Sequence, residues 1–227
     1  VLGWPIGAEE KDYDGWSDDY RDIVTLEYDS TVTHEVADIE TYLYTANQPS
    51  RPIHPDAVVA MGLPPALPTS TLLPLMMSAL NRPEGEESNL SDEVRAEISG
   101  LLATISGWEG DIPLDYYYSY EGWYWVEPTS GVLIDTKKHE LRVVTLGADV
   151  IAASPLAEFS AEELAPLSIP VFDLTYQGTE ETVKDAKKDA EDAKSTIDTF
   201  GTTVPMALII VGLLLAAVGA FLAFRQS

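Results

Sequence analysis

His34, His54 and His139 are the chain's three histidines. No two stand four residues apart, so the helical pair that holds a catalytic zinc is missing, and a lone strand histidine is ordinarily structural. Cysteine is absent, which removes thiolate zinc sites, disulfides and cysteine nucleophiles together. The chain has no G-x-S-x-G elbow, Walker loop or dinucleotide fingerprint. Acids are plentiful, 38 Asp and Glu, and among so many no single acid–base pair stands out. Five of them, Asp12, Asp14, Asp18, Asp19 and Asp22, crowd around Gly15 in DYDGWSDDYRD. Their spacing does not match an EF-hand loop, which leaves an irregular cation site or a solvated turn region. No catalytic residue, metal site or cofactor is assigned, and the chain reads as non-enzymatic.

The pattern that does suggest recognition is aromatic. In DYYYSYEGWYWVEPTSG (residues 115–131), Tyr116, Tyr118, Tyr120, Tyr124 and Val126 share one side of an extended strand, and Tyr117, Trp123 and Trp125 share the other. A strand with rings on both faces is covered on both, or lines a cavity with one. Residues 51–83 are rich in Pro, Leu and Met. Their Leu63, Leu67, Leu72, Met76 and Met77 can either cap a core or form the adaptable apolar wall of a ligand pocket. The candidate ligand site is therefore this wall together with the rings of Tyr116, Tyr118, Tyr120, Trp123, Tyr124 and Trp125, which offer surface for acyl or sugar groups. Glu127, Pro128 and Gly131 are expected to shape the turn rather than touch a ligand.

The elements that must position these residues are mainly β, in an α+β class with an antiparallel, β-rich domain over residues 1–178. DIVTLEY, TVTHEVA and IETYLYT read as successive short strands, with Asp29-Ser30 and Asp38 as turns. Residues 116–126 and 132–146 read as a hairpin, with Pro128 presetting the turn and Gly131 supplying positive φ. Seven prolines between 51 and 83 leave room only for short helical turns. In residues 91–106, Ser91 can cap a helix with Asp92 and Glu93 in its first turn, and Val94, Ile98, Leu101, Leu102 and Ile105 fall on one face.

Residues 179–203 form a charged helical stalk with a narrow seam of Val183, Ala186, Ala190, Ala193, Ile197 and Phe200, spaced to pack closely on one partner helix. The seam runs on into Gly212, Ala216 and Ala220, a small-xxx-small row suited to helix pairing. Residues 204–224 carry no charge or hydroxyl and extend roughly 31 Å as a helix, the depth of a hydrocarbon core, so they are expected to span a membrane. Four lysines precede this span and Arg225 follows, but a large folded domain is translocated regardless of charge. The tail, residues 225–227, is expected in the cytoplasm and the main domain outside it. A net charge of −25, from 38 acids against 13 Lys and Arg, repels phosphate backbones and disfavours nucleic acid.

Residues 4–16, residues 124–140 and the charged stem running into the apolar helix together resemble the actinobacterial envelope family of PorA-type porins. The resemblance implies an N-terminal helix and further ectodomain before the first motif, so that this sequence corresponds to the C-terminal two-thirds of a member. That helix would be the natural partner of the alanine seam. A porin role fits the residues poorly, because an apolar span lacking a polar side chain cannot line a wet pore. The strand-turn-strand segment YWVEPTSGVLIDTKKHELRVV is also similar to one element of class B scavenger receptors, which are lipid-handling ectodomains. The reading these features favour is an extracytoplasmic, membrane-anchored domain that binds or passes an envelope lipid or glycolipid. The competing reading is an accessory subunit of a larger membrane complex.

Overall fold

The computed structural model describes residues 4–80, 96, 99–100, 102, 105–106, 110–154, 157, 160 and 168–225, the side chains of residues 79–80 and 216–225 excepted. Its strands are β1 (Tyr13–Ser17), β2 (Asp22–His34), β3 (Ile39–Pro52), β4 (Ala66–Pro68), β5 (Asp111–Val126), β6 (Leu133–Leu146) and β7 (Ile169–Gln177). They form one antiparallel sheet in the order β1-β2-β3-β5-β6-β7, and β4 joins the start of β5 beyond the reach of β3. Its helices are α1 (Pro55–Ala60), α2 (Thr69–Leu80), α3 (Ala148–Ala152), α4 (Glu180–Asp198) and α5 (Val204–Arg225). A mainly β domain with a long apolar C-terminal helix is the class the sequence predicts.

Several local expectations change. Asp29-Ser30 is no turn: β2 runs through it with a register shift between Tyr28 and Ser30. The other turn stands, with Asp38 at φ 52°. The solvated turn expected within residues 12–22 is the turn of a β-hairpin that joins β1 to β2, with Arg21 in the left-handed conformation at φ 52°. The proline-rich segment supports more helix than its spacing suggests, since α2 continues through Pro74 for 12 residues. Pro74 is the sixth residue of that helix and forfeits the hydrogen bond to the Ser70 carbonyl, one turn before it. Of the helix expected over residues 91–106, Leu102 and Ile105 are buried as its apolar face requires, while Val94, Ile98 and Leu101 lie outside the described residues.

Register shifts in β2, β3, β5 and β6 bend the sheet, because each extra residue adds local twist. One face carries Val24, Leu26, Tyr44, Tyr118, Tyr124 and Val126 into a single core, and Leu72 and Met76 of α2 close over it. Tyr124 lies back over Gly122, where an added Cβ would come within 2.7 Å of the phenol oxygen. The β5–β6 turn is closed by Glu127 N–H donating to the Val132 carbonyl and Gly131 N–H donating to the Glu127 carbonyl, both at 2.9 Å. Gly131 has φ 71°, and a Cβ there would run into the Pro5 carbonyl and lie 2.8 Å from that of Trp4. The turn accepts only glycine because the N-terminal segment is strapped across it, Gly7 and Ala8 donating to the Thr129 and Pro128 carbonyls.

The opposite face of the sheet receives α4. Thr179 caps this helix, its hydroxyl accepting from Thr182 N–H, with Glu180 and Glu181 in the first turn, where they favour the helix dipole. Val183 and Ala190 are buried against Ala37 and Ile134, with Ile39, Trp125 and Val132 beside them. The alanine seam is narrow because it meets the chain's own sheet at close range. This corrects the expectation that the whole seam awaits a partner helix: Ala186, Ala193 and Ile197 are half-buried, and Phe200, 69% exposed, is the seam residue left open. Between α4 and α5 the helix widens into a π-turn at Thr199–Thr203. Pro205 accounts for it, since a proline would clash with the carbonyl of Gly201 in a regular α-helix. α5 is long and apolar enough to cross a membrane. Gly212 on it is exposed, and the side chains of Ala216 and Ala220 lie outside the described residues.

Candidate functional site

On the curved inner face, register sets a polar row of β6 beside the tyrosines of β5. Lys138 pairs opposite Gly122, Glu140 opposite Tyr120 and Arg142 opposite Tyr118. Directly opposed residues share a face, so three charged side chains enter an aromatic environment. Tyr118, 1% exposed, stands between them: its ring centroid is 5.4 Å from those of Tyr20 and Tyr120, and its hydroxyl donates to Glu140 Oε1 at 2.9 Å. Lys138 Nζ donates to that hydroxyl at 2.9 Å, pairs with Glu140, and sits 4.1 Å from the centre of the Tyr120 ring. Arg142 lies 4.4 Å from the Tyr118 ring and makes a forked contact with Asp19, Nη2 to Oδ1 at 3.0 Å and to Oδ2 at 3.2 Å. Arg51 stacks 4.0 Å from the Tyr20 ring. Cations over ring faces and a bidentate guanidinium–carboxylate pair both gain from partial desolvation.

The titration behaviour follows from this packing. Burial pushes the Tyr118 phenol far up, reinforced by the neighbouring Glu140 carboxylate, and burial raises Tyr120 to about 12. Both are neutral proton donors at ordinary pH. Burial alone would raise Glu140, but hydrogen bonds from Lys138 and Tyr118 and the charges of Lys138 and Arg142 hold it below the usual carboxylate range. Glu127 behaves alike: burial opposes ionisation, and it is outweighed by the hydroxyl and amide of Ser130, the Lys194 ammonium and the Thr129 amide.

For a carboxylate depressed in the folded state, the unfolded chain binds the proton first on acidification. The contribution of both groups is complete above the ordinary carboxylate pKa and is lost as pH falls through the lower folded values. Thermal unfolding followed by near-UV circular dichroism should therefore show the midpoint falling steeply below about pH 4.5. Glu140→Gln should flatten that fall while lowering the midpoint at pH 7.

Beside the network opens a crevice of about 200 Å³, lined by Trp16, Ser17, Asp18, Asp19, Val24, Leu26, Tyr118, Tyr120, Tyr124 and Lys138. Trp16 is 59% exposed, and its indole N–H donates to Asp18 Oδ1 at 3.1 Å. Three of the six predicted site rings, Tyr118, Tyr120 and Tyr124, border this space. Tyr116 is buried elsewhere in the core with its hydroxyl donating to the Pro64 carbonyl at 2.7 Å. Trp123 and Trp125 face the other side, Trp123 under Lys137 and Trp125 against the α4 cluster. The apolar wall is not brought to the crevice: Leu72 and Met76 fill the core, Leu63 and Leu67 pack against it, and Met77 is exposed. These residues cap the core.

Lys138, Glu140, Arg142 and Trp16 escape sequence reasoning, and Asp19 is singled out there only within the acidic cluster and not as the partner of Arg142, although the alternation of Lys138, Glu140 and Arg142 was an available signal. Only the register tells which face that row joins. The histidines are structural in place. His34 is buried, its Nε2 3.2 Å from Asp135 Oδ2 and its Nδ1 accepting from Ala37 N–H. His54 caps α1 and His139 pairs with Asp173. The Asp12–Asp22 acids disperse: Asp12 accepts from Tyr28 N–H, Asp18 from Trp16, and Asp19 holds Arg142. Among the described residues no group of acids and histidines is arranged to hold a metal.

A family model described as Porin PorA matches residues 1–221. No curated protein matches the chain. The similarity to class B scavenger receptors rests on its single motif and gains no support.

Proposed function

Since the chain belongs to the Porin PorA family and carries a helix able to cross a membrane, we propose that it is a membrane-anchored, non-enzymatic envelope protein whose outward-facing domain holds the sugar headgroup of a glycolipid. The observation that carries this reading is the crevice beside the cation–tyrosine network. Its 200 Å³ is about the space of seven waters and below the ~300–1,000 Å³ usual for drug-sized ligands. That suits one sugar ring and is too small for an acyl chain. Exposed aromatic surface from Trp16 offers a stacking face, and Asp18, Asp19, Ser17 and Lys138 offer donors and acceptors for hydroxyl groups. The sheet's inner face supports no wide conduit, because Tyr44 and Val126 are fully buried there and Tyr118 and Tyr124 nearly so.

The accessory-subunit reading draws on one feature, the exposed Phe200 above the apolar surface of α5, where another membrane helix can pack. Mass spectrometry of lipids carried by the full chain purified in mild detergent tests the leading reading. About one glycolipid per chain is expected, with loss of most of it in Trp16→Ala. Absence of glycolipid, or equal amounts in the variant, would remove the basis for the proposal.

A further inference from the structure

A second cavity, of about 450 Å³, lies between α4 and the base of the sheet, lined by Ile39, Glu127, Ala190, Glu191, Lys194, Ser195, Asp198, Thr199 and Thr203. It shares no residue with the crevice. Its position is defined by the chain itself: Thr203 directly precedes the apolar helix, and Asp198 stands six residues before Val204, about 9 Å along a helical axis. Headgroups occupy about 5–8 Å on each side of the hydrocarbon core, so with Val204 at the membrane boundary the Thr203 end of the cavity would lie at their level and Asp198 just above it. The charges within it are unevenly satisfied. Lys194 Nζ is held by Glu127 Oε1 at 3.1 Å, and Glu191 faces Lys187 at 3.8 Å. Asp198 has no ion-pair partner among the described residues and opens onto the cavity with Ser195, Thr199 and Thr203.

We propose that this groove seats the ammonium-bearing headgroup of a membrane lipid, with the Asp198 carboxylate as its counter-ion and the Ser195 and Thr203 hydroxyls as further acceptors. An ammonium ion has three donors and no acceptor, which matches a lining whose free charge is negative and whose cation is already engaged. An anionic headgroup would meet Glu127, Glu191 and Asp198 across the same space. The occupant would brace the stalk against the sheet beside the π-turn, fixing the domain's height above the bilayer.

The full chain should be placed in nanodiscs containing equal phosphatidylethanolamine and phosphatidylglycerol, then released and weighed by native mass spectrometry. The expected result is retention of phosphatidylethanolamine roughly fivefold over phosphatidylglycerol, a preference of the size one partly exposed ion pair confers. Asp198→Asn should erase that preference, and Ser195→Trp, which fills the groove from an exposed helix position, should abolish retention of either lipid. Lys184→Ala, exposed on the same helix but outside the groove's lining, should leave it unchanged. Equal retention of both lipids by the native chain, or a preference that survives both groove variants, would overturn the assignment, whatever the glycolipid measurement gives.

Discussion

Replacing Tyr118 with alanine is expected to lower the unfolding free energy by about 3–5 kcal/mol, the range for removing a large aromatic side chain from a packed core. The ring is buried at 1% exposure between Tyr20 and Tyr120, and its hydroxyl both accepts from Lys138 and donates to Glu140. Truncation thus opens a cavity and strips a phenol from two half-buried charges. Tyr118→Phe keeps the ring, so its cost should be only about 1.5–3 kcal/mol, that of one hydrogen-bonding group with charged partners. Denaturant unfolding of the two variants in the same detergent separates the contributions. Similar losses in both would show that the hydroxyl network, rather than ring packing, holds this part of the sheet.

The second large effect is expected at Asp135. This carboxylate, 4% exposed, accepts from Gln177 Nε2 at 2.9 Å, from Gly178 N–H at 3.1 Å and from Thr136 N–H at 2.7 Å, and faces His34 Nε2 at 3.2 Å. Because Nδ1 of His34 accepts from Ala37 N–H, a neutral imidazole presents its Nε2 proton to Asp135. One side chain thereby joins the ends of β2, β6 and β7 to the start of α4. Asp135→Ala should cost about 3–5 kcal/mol, since it leaves several buried donors without an acceptor. Hydrogen exchange should reveal where the loss falls. Gly178 and the first turns of α4 should exchange much faster, while the centre of β5 keeps its protection until global unfolding. Uniform acceleration through the sheet would mean that Asp135 supports the whole core and not the stalk junction.

Much of this architecture was legible residue by residue. The alternation of Tyr116, Tyr118, Tyr120 and Tyr124 placed them on one face, and Pro128 with Gly131 marked the hairpin, because strand period and turn chemistry are local properties. The unbroken apolar run after Thr203 marked the long helix. Long-range pairing was not legible. Nothing local in Lys138, Glu140 and Arg142 says that they oppose Gly122, Tyr120 and Tyr118, and a slip of one residue would send all three to the other face. The alanine seam showed that α4 packs closely on something, but an i, i+3, i+4 pattern does not name its partner, which proved to be Ile134, Trp125 and their neighbours. Likewise, Asp29-Ser30 has the composition of a turn, and strand pairing on both sides converts it into a bulge.

The sugar-binding reading depends on the crevice beside Tyr118 and Tyr120. Saturation-transfer-difference NMR of the full chain in detergent, with a panel of neutral methyl glycosides, addresses it directly. Saturation should pass to the ring protons of at least one glycoside and disappear in Trp16→Ala and Lys138→Ala. Transfer to none of the panel, or transfer that persists in both variants, would contradict a sugar-binding crevice on this face.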